Sequence, residues 1–241
     1  MRVAIISDIH GNFDAFQQVL KDIDRSSVDS IISLGDNIGY GPEPERVIQE
    51  IQSRGIPSII GNHELAVNDP DYLNWFNPVA RRSLIITRDM LSKRSMRFIA
   101  ELEPYRVDHQ CRFVHGFPPD SSLIYFFQVS DALKKKIFDE MTERLCFVGH
   151  THALEIVEYD GGDLEYKNLS EGLVALDAGK KYIINIGSVG QPRDGNNASK
   201  YAIWDSSKSS IEIKFISYDI AAVVQKIKAA GLPENHAQRL W

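Results

Sequence analysis

Five short polar clusters, each following an apolar run, carry the residues of this chain that are able to do chemistry. Asp8 and His10 follow Val3-Ala4-Ile5-Ile6, Asp36 follows Ile31-Ile32-Ser33-Leu34, and Asn62 and His63 follow Ile59-Ile60. His115 follows Phe113-Val114, and His150 and His152 follow Leu145-Cys146-Phe147-Val148. On a loop leaving a strand end, two imidazoles spaced two apart can converge on one point. Carboxylates and neutral imidazoles without a thiolate suit divalent Mn, Fe or Zn, whereas Ca and Mg favour nearly all-oxygen sites. One carboxylate can bridge two such ions at about 3.5–4 Å, a spacing that lets both hold one phosphate, and Asp36 is the natural bridge. Taken singly, each cluster has an ordinary reading: Asp8 caps a helix, Asp36-Asn37 and Gly61-Asn62 are turns, and His115 is a satisfied strand-end histidine. Caps and turns do not explain why the pattern recurs after one apolar strand after another.

The elements that must position these residues are legible as periodicity. Residues 3–7 form a short β-branched run, and residues 13–24 place Phe13, Phe16, Val19, Leu20 and Ile23 at helical spacing. The order repeats with a strand at 30–34, a loop at 35–42, a helix at 44–54 with Pro44 in its first turn, and a strand at 57–60. Strands alternating with helices imply a parallel sheet whose strand ends line one ligand-binding edge. Residues 65–102 are helical with a break at 74–78, a cap-like insertion within one domain spanning 1–241. A strand at 112–114, a helix at 130–144 and a strand at 145–149 complete this half. Short strands then follow at 154–159, 164–169, 173–176, 182–186, 201–204 and 211–217, separated by Gly, Asp, Asn and Ser turns as in antiparallel sheet, and a helix at 220–230 closes the chain. The fold class is α/β, with two packed mixed β-sheets flanked by helices.

Composition narrows the function. The chain has 241 residues and 43% apolar content, enough for a sizeable core. A net charge of -6 argues against sequence-independent nucleic-acid binding, which needs excess Lys and Arg. Cys111 and Cys146 are the two cysteines and lack CxxC spacing, so they read as core residues in a reducing cytoplasm. The apolar run at the N-terminus is too short for a signal peptide, and no segment has membrane-spanning length.

The ordered series Asp8-Ile9-His10, Gly35-Asp36, Gly61-Asn62-His63-Glu64, His115-Gly116 and Gly149-His150-Thr151-His152 resembles the calcineurin-like metallophosphoesterases, a binuclear-metal superfamily. The resemblance implies a four-layer sandwich of two mixed sheets between helices. It implies one metal held by Asp8, His10, Asp36 and His152, and another by Asp36, Asn62, His115 and His150. It also implies a metal-bound hydroxide that attacks phosphorus in line, with His63 protonating the leaving oxygen or stabilising its charge. The loop 187–195 is similar to one in bacterial phosphodiesterase-like and dinucleoside-polyphosphate-hydrolase-like members, where its Arg193 would bind substrate phosphate. Asn12 is a further candidate substrate contact, although helix capping explains it as well.

The chain departs from the protein-phosphatase branch, whose GDxxDRG motif places an Asp and an Arg where Gly39 and Tyr40 stand here. The expected substrate is therefore a small phosphorylated molecule, as phosphomonoester, phosphodiester or dinucleoside polyphosphate. A phosphoprotein phosphatase and a metal-poor protein-binding scaffold on the same fold are the alternatives. Among other features, Lys134-Lys135-Lys136 reads as a solvated helix face, Tyr125-Phe126-Phe127 as packing that can stack a base if it overhangs the site, and His109 and His236 match no motif.

Overall fold

The computed structural model describes residues 1–241. In chain order the first half runs β1 (Arg2–Ile6), α1 (Phe13–Ile23), β2 (Ser30–Ser33), α2 (Pro44–Ser53), α3 (Asn62–Asn68), α4 (Pro78–Met90), α5 (Lys93–Ala100), β3 (Tyr105–Asp108), β4 (Cys111–Val114), α6 (Asp131–Glu140) and β5 (Leu145–Val148). The second half runs β6 (Leu154–Tyr159), β7 (Leu164–Asn168), β8 (Gly172–Ala175), β9 (Lys181–Ile186), β10 (Ser199–Asp205), β11 (Ser210–Ile216), α7 (Ile220–Ala229) and α8 (Glu234–Gln238). The strands form a five-stranded sheet in the order β2-β1-β10-β11-β8 and a six-stranded sheet in the order β3-β4-β5-β9-β6-β7.

Alternation along each strand sends one set of side chains between the sheets and the other under the helices. Val3 and Ile5 of β1 meet Phe113, Phe147 and Ile184 in the inter-sheet core. Ala4 and Ile6 turn the other way, onto Phe16, Val19, Leu20 and Ile23 of α1. Each such buried side chain contributes about 1.5–3 kcal/mol of transfer free energy. On the far side, Cys146 and Val148 of β5 pack on Phe138 and Met141 around α6. The result is the helix-sheet-sheet-helix sandwich, and both cysteines are buried in it. The segment from α3 to α5 packs through Ala66, Val67, Leu84 and Ile99 on Ile38 and Ile48, while α7 and α8 bury Val223, Ile227, Ala237 and Leu240.

Several expectations are corrected. The strand expected at 57–60 exists only as isolated bridges, Ser33 to Ser58 and Ile59 to Glu103, because Pro57 has no N–H to donate to a ladder. Asn62 and His63 open α3 rather than trail a strand. The strand ends do not line a single parallel sheet: β1 and β2 are parallel neighbours in one sheet, and β4, β5 and β9 in the other, so the polar clusters meet where the two sheets pack. Lys134 is not solvated. It is 5% exposed, and its Nζ lies 4.6 Å from the Phe126 ring centroid and donates to Tyr166 Oη at 3.0 Å.

Candidate active site

The residues that leave the strand ends share an uncommon backbone. Asp8 (φ 54°), His10 (φ 50°), Asp36 (φ 51°), His150 (φ 66°) and His152 (φ 59°) all lie in the left-handed region, which costs L-residues energy and concentrates at functional sites. The tertiary structure holds them there through the backbone: Asp8 N–H donates to Gly35 O at 3.1 Å, and His10 N–H donates to Asp36 O at 2.9 Å. Gly149 has to be glycine, since a Cβ there would lie 2.0 Å from Ser7 Oγ and 2.5 Å from Asp8 Oδ2. Asn185, which the sequence reading passed over, pins the same loop through Nδ2 to Gly149 O (2.9 Å) and Thr151 Oγ1 (2.7 Å).

Three imidazoles are oriented alike. Nδ1 of His10 meets Ile38 O at 3.1 Å, Nδ1 of His115 meets Leu34 O at 2.9 Å, and Nδ1 of His152 meets Gln191 O at 2.5 Å. A carbonyl only accepts, so each of these rings carries a proton on Nδ1, and in the neutral ring the Nε2 lone pair faces inward. With both rings neutral, the Nε2 atoms of His10 and His152 are two acceptors 3.0 Å apart. His115 Nε2 faces Asn62 Oδ1 at 3.1 Å and Asp36 Oδ2 at 3.3 Å. Asp8 Oδ2 is fixed by Ser7 Oγ–H (2.5 Å) and His150 N–H (3.1 Å), which leaves Asp8 Oδ1 buried without a partner, as His150 Nε2 is too. Asp36 Oδ1 accepts from His63 N–H at 2.9 Å, and its Oδ2 faces His10 and His63 at 3.8 Å each.

Acceptors crowded against acceptors in a buried volume are stable only with cations between them. Burial opposes ionisation of Asp8 and Asp36, yet the facing imidazoles, His152 beside Asp8 and His115 beside Asp36, hold both carboxyls well below the usual range. Burial pushes His150 down to about 3 and His10 well below the usual histidine value. Burial also disfavours charge on His115, but the Asp36 carboxylate outweighs it and raises the group to about 9. The donor set therefore fits divalent metal: Asp8, His10 and His152 form one group, Asp36, His115 and His150 another, and His10, Asp36 and His63 a third between them, with ligand atoms in each within 4.8 Å of one another.

His63 lies at the junction, 1% exposed, with Nε2 towards Asp36 and Nδ1 unpartnered. Its ring is set by aromatic packing: Tyr40 at 4.4 Å and 78°, Phe76 at 5.1 Å and 89°, and His10 at 4.6 Å. Gly39 (φ +86°) makes the seat, because a Cβ at that position would stand 2.0 Å from His63 Nδ1. No side chain of any kind fits where the protein-phosphatase motif carries its Asp. Burial lowers His63 to about 4, against the raising effect of Asp36.

Other residues were not foreseen from sequence. Glu64 is fully buried and accepts from the N–H groups of Asp36 (2.8 Å), Asn37 (2.7 Å) and Gly61 (3.0 Å), tying two ligand loops together. Tyr40 is itself left-handed (φ 60°) and packs, tilted, between His10 and His236. His236, from the C-terminal α8, is 1% exposed with neither ring nitrogen partnered. The signal for these lay in tertiary packing, which spacing along the chain does not carry. Asn12 is 2% exposed and presents no free amide end: Oδ1 accepts from Ala15 N–H at 3.1 Å and Nδ2 donates to Gly190 O at 3.0 Å. Arg193 reaches the site mouth, its guanidinium 5.9 Å from the Tyr40 ring centroid and 3.0 Å from Gln191 Oε1. Tyr125 stacks on His150 at 3.8 Å.

This sandwich with its buried Asp and His centre is the architecture of a metallophosphoesterase. The calcineurin-like phosphoesterase superfamily domain matches residues 1–209, and the chain belongs to that family. It is 34% identical over 246 residues to an uncharacterised protein of Methanocaldococcus jannaschii, covering 99% of this chain and 97% of the relative. The crystal structure of a metallophosphoesterase from Sphaerobacter thermophilus superposes with a TM-score of 0.84 at 34% identity, over 100% of this chain and 98% of that one. A shorter stretch of 68 residues, 27% of this chain and 24% of the relative, is 37% identical to the symmetrical bis(5'-nucleosyl)-tetraphosphatase of Delftia acidovorans. The protein is a metal-dependent phosphoric ester hydrolase, and none of its helices is long and apolar enough to cross a membrane.

Proposed function

We propose that the centre takes two divalent ions, Mn, Fe or Zn, one held by Asp8, His10, Asp36 and His152 and the other by Asp36, Asn62, His115 and His150. On this reading the enzyme hydrolyses a small phosphorylated substrate, as phosphomonoester, phosphodiester or dinucleoside polyphosphate. The observation that carries it is the pair of Nε2 lone pairs of His10 and His152, 3.0 Å apart with both Nδ1 protons committed to carbonyls, an arrangement that calls for a cation. When bound, such ions supply Lewis acidity to phosphoryl oxygens and lower the pKa of water. His63 protonates the leaving oxygen from its imidazolium form or, as the neutral ring, stabilises the charge building on it by hydrogen bonding. With Nδ1 enclosed against Gly39 and without an acceptor, its single proton is best placed on Nε2, which faces Asp36 and the centre. Arg193 grips a phosphoryl oxygen from the mouth, and Asn12, by holding Gly190, fixes the loop that presents it. The match to the tetraphosphatase supports a nucleotide-type substrate.

The test is an activity panel on chain loaded with Mn, Fe or Zn, comparing aryl phosphomonoesters, aryl diesters, mononucleotides, dinucleoside polyphosphates and phosphopeptides. Turnover of the small substrates well above that of phosphopeptides is expected. Phosphopeptide turnover well above the rest points to the phosphoprotein phosphatase, and no turnover with any metal points to the scaffold.

A further inference from the structure

Beyond the mouth of the metal centre lies an open cavity of about 360 Å³, within the range of small-molecule sites, lined by Arg193, Arg239, Asn196, Trp241 and their neighbours. Its two arginines come from the loop between β9 and β10 and from the segment after α8, and neither forms an ion pair. The carboxylate next to Arg193, Asp194, is taken by Lys200 at 2.6 Å. Both arginines are carried by anchored backbone. The Arg193 loop is tied to the end of β1 by Gly190 N–H to Asp8 O (2.9 Å) and Ser188 Oγ–H to Asp8 O (2.8 Å). Arg239 follows α8, whose Ala237 and neighbouring Leu240 are buried, and Asn197 Nδ2 donates to Trp241 O at 2.7 Å, joining the two walls.

His236, three residues before Arg239, packs towards the reaction centre. Its unpartnered, buried ring packs on Tyr40 at 4.5 Å, and Tyr40 packs on His63 at 4.4 Å. The Arg193 guanidinium lies 5.9 Å from the centroid of the same Tyr40 ring, and Arg239 shares the cavity with it. Two like charges in one cavity repel until an anion lies between them, and the planar guanidinium fork matches phosphoryl oxygens bidentately.

We propose that Arg193 and Arg239 form a second anion subsite beside the metal centre that takes the phosphoryl group next to the one being cleaved, so that the substrate class is a diphosphate or longer polyphosphate. The inference rests on the reading of the metal centre given above. It is separable from that reading because ligand binding needs no turnover.

The experiment is calorimetric titration of the full chain, as isolated, with methylenediphosphonate and with methylphosphonate, whose P–C bonds resist hydrolysis. Wild-type protein is expected to bind the diphosphonate at least about tenfold more tightly. Arg239→Ala is expected to weaken the diphosphonate by about tenfold, equivalent to about 1.4 kcal/mol, and methylphosphonate less than twofold. Arg239→Gln, neutral and similar in length, gives the same reading if the alanine variant folds poorly. Equal weakening of both ligands, or of neither, overturns the proposal. A titration with α,β-methylene-ADP separates a nucleoside-linked diphosphate from a free one, and in either case binding must depend on Arg239. If aryl phosphates are not hydrolysed under any metal while the diphosphonate still binds through Arg239, the catalytic reading fails and the subsite stands.

Discussion

Gly39→Ala tests the seat of His63 with the smallest possible change. Two costs follow from the geometry. Gly39 has φ +86°, where an L-residue loses about 1–2 kcal/mol. The new Cβ stands 2.0 Å from His63 Nδ1, so reaching ordinary contact at 3.4 Å demands a shift of about 1.4 Å (3.4 minus 2.0), with Tyr40, Phe76 and His10 closing the other sides. Overpacking of that kind costs about 1–3 kcal/mol, and the sum of roughly 2–5 kcal/mol lowers Tm by roughly 5–15 °C in a chain of this size. A displacement near 1 Å at a reacting group also costs on the order of 10²-fold in rate. The assay is thermal unfolding together with kcat on an aryl phosphate, with Gly162→Ala as control, since its nearest atom would be 3.6 Å away. Gly39→Asp, which installs the residue of the protein-phosphatase motif, is expected to do worse than alanine. A Gly39→Ala protein within twofold of wild type in kcat and within 2 °C in Tm (roughly one kcal/mol or less) refutes the seat.

His63→Ala is expected to leave metal content unchanged while slowing poor leaving groups by about 10²–10⁴-fold and good ones far less; equal losses across a leaving-group series count against His63 as the proton donor. Glu64→Gln keeps one acceptor oxygen but turns an NH₂ on at least one of the three backbone N–H donors, and should destabilise by about 1–3 kcal/mol in urea unfolding; an unchanged midpoint contradicts its tying role. His236 has its folded pKa lowered by burial to about 4 from 6.5, so the unfolded chain takes up its proton first. Its contribution to stability is therefore complete above pH 6.5 and is lost as pH falls towards 4, and His236→Phe should flatten the pH dependence of stability in that window; a slope unchanged from wild type contradicts this.

The fold was legible where one periodicity dominates. The burial of α1 through Phe13, Phe16, Val19, Leu20 and Ile23, and the continuous apolar runs of β1 and β5, follow from spacing alone. The Pro57 segment was misread because an apolar run signals burial but not a completed hydrogen-bond ladder. At the site, Asp8, His10, Asp36, Asn62, His115, His150 and His152 converge as their places after apolar runs suggested, although from two sheets rather than one. What supports them was hidden. Tyr40 and Phe76 reach His63 from separate segments, His236 backs Tyr40 from a third, and Glu64 acts on backbone N–H groups 27 and 28 residues away. Such contacts depend on how helices dock, and no local pattern encodes them.

The division of His150 and His152 between two ions is tested most directly by elemental analysis of metal bound per chain after loading with Mn and removal of excess. Two ions are expected in the wild-type protein, with loss of one in His152→Ala, loss of the other in His150→Ala, and both disturbed in Asp36→Asn. A wild-type protein that retains no divalent metal, or two histidine variants that lose the same single ion, contradicts it.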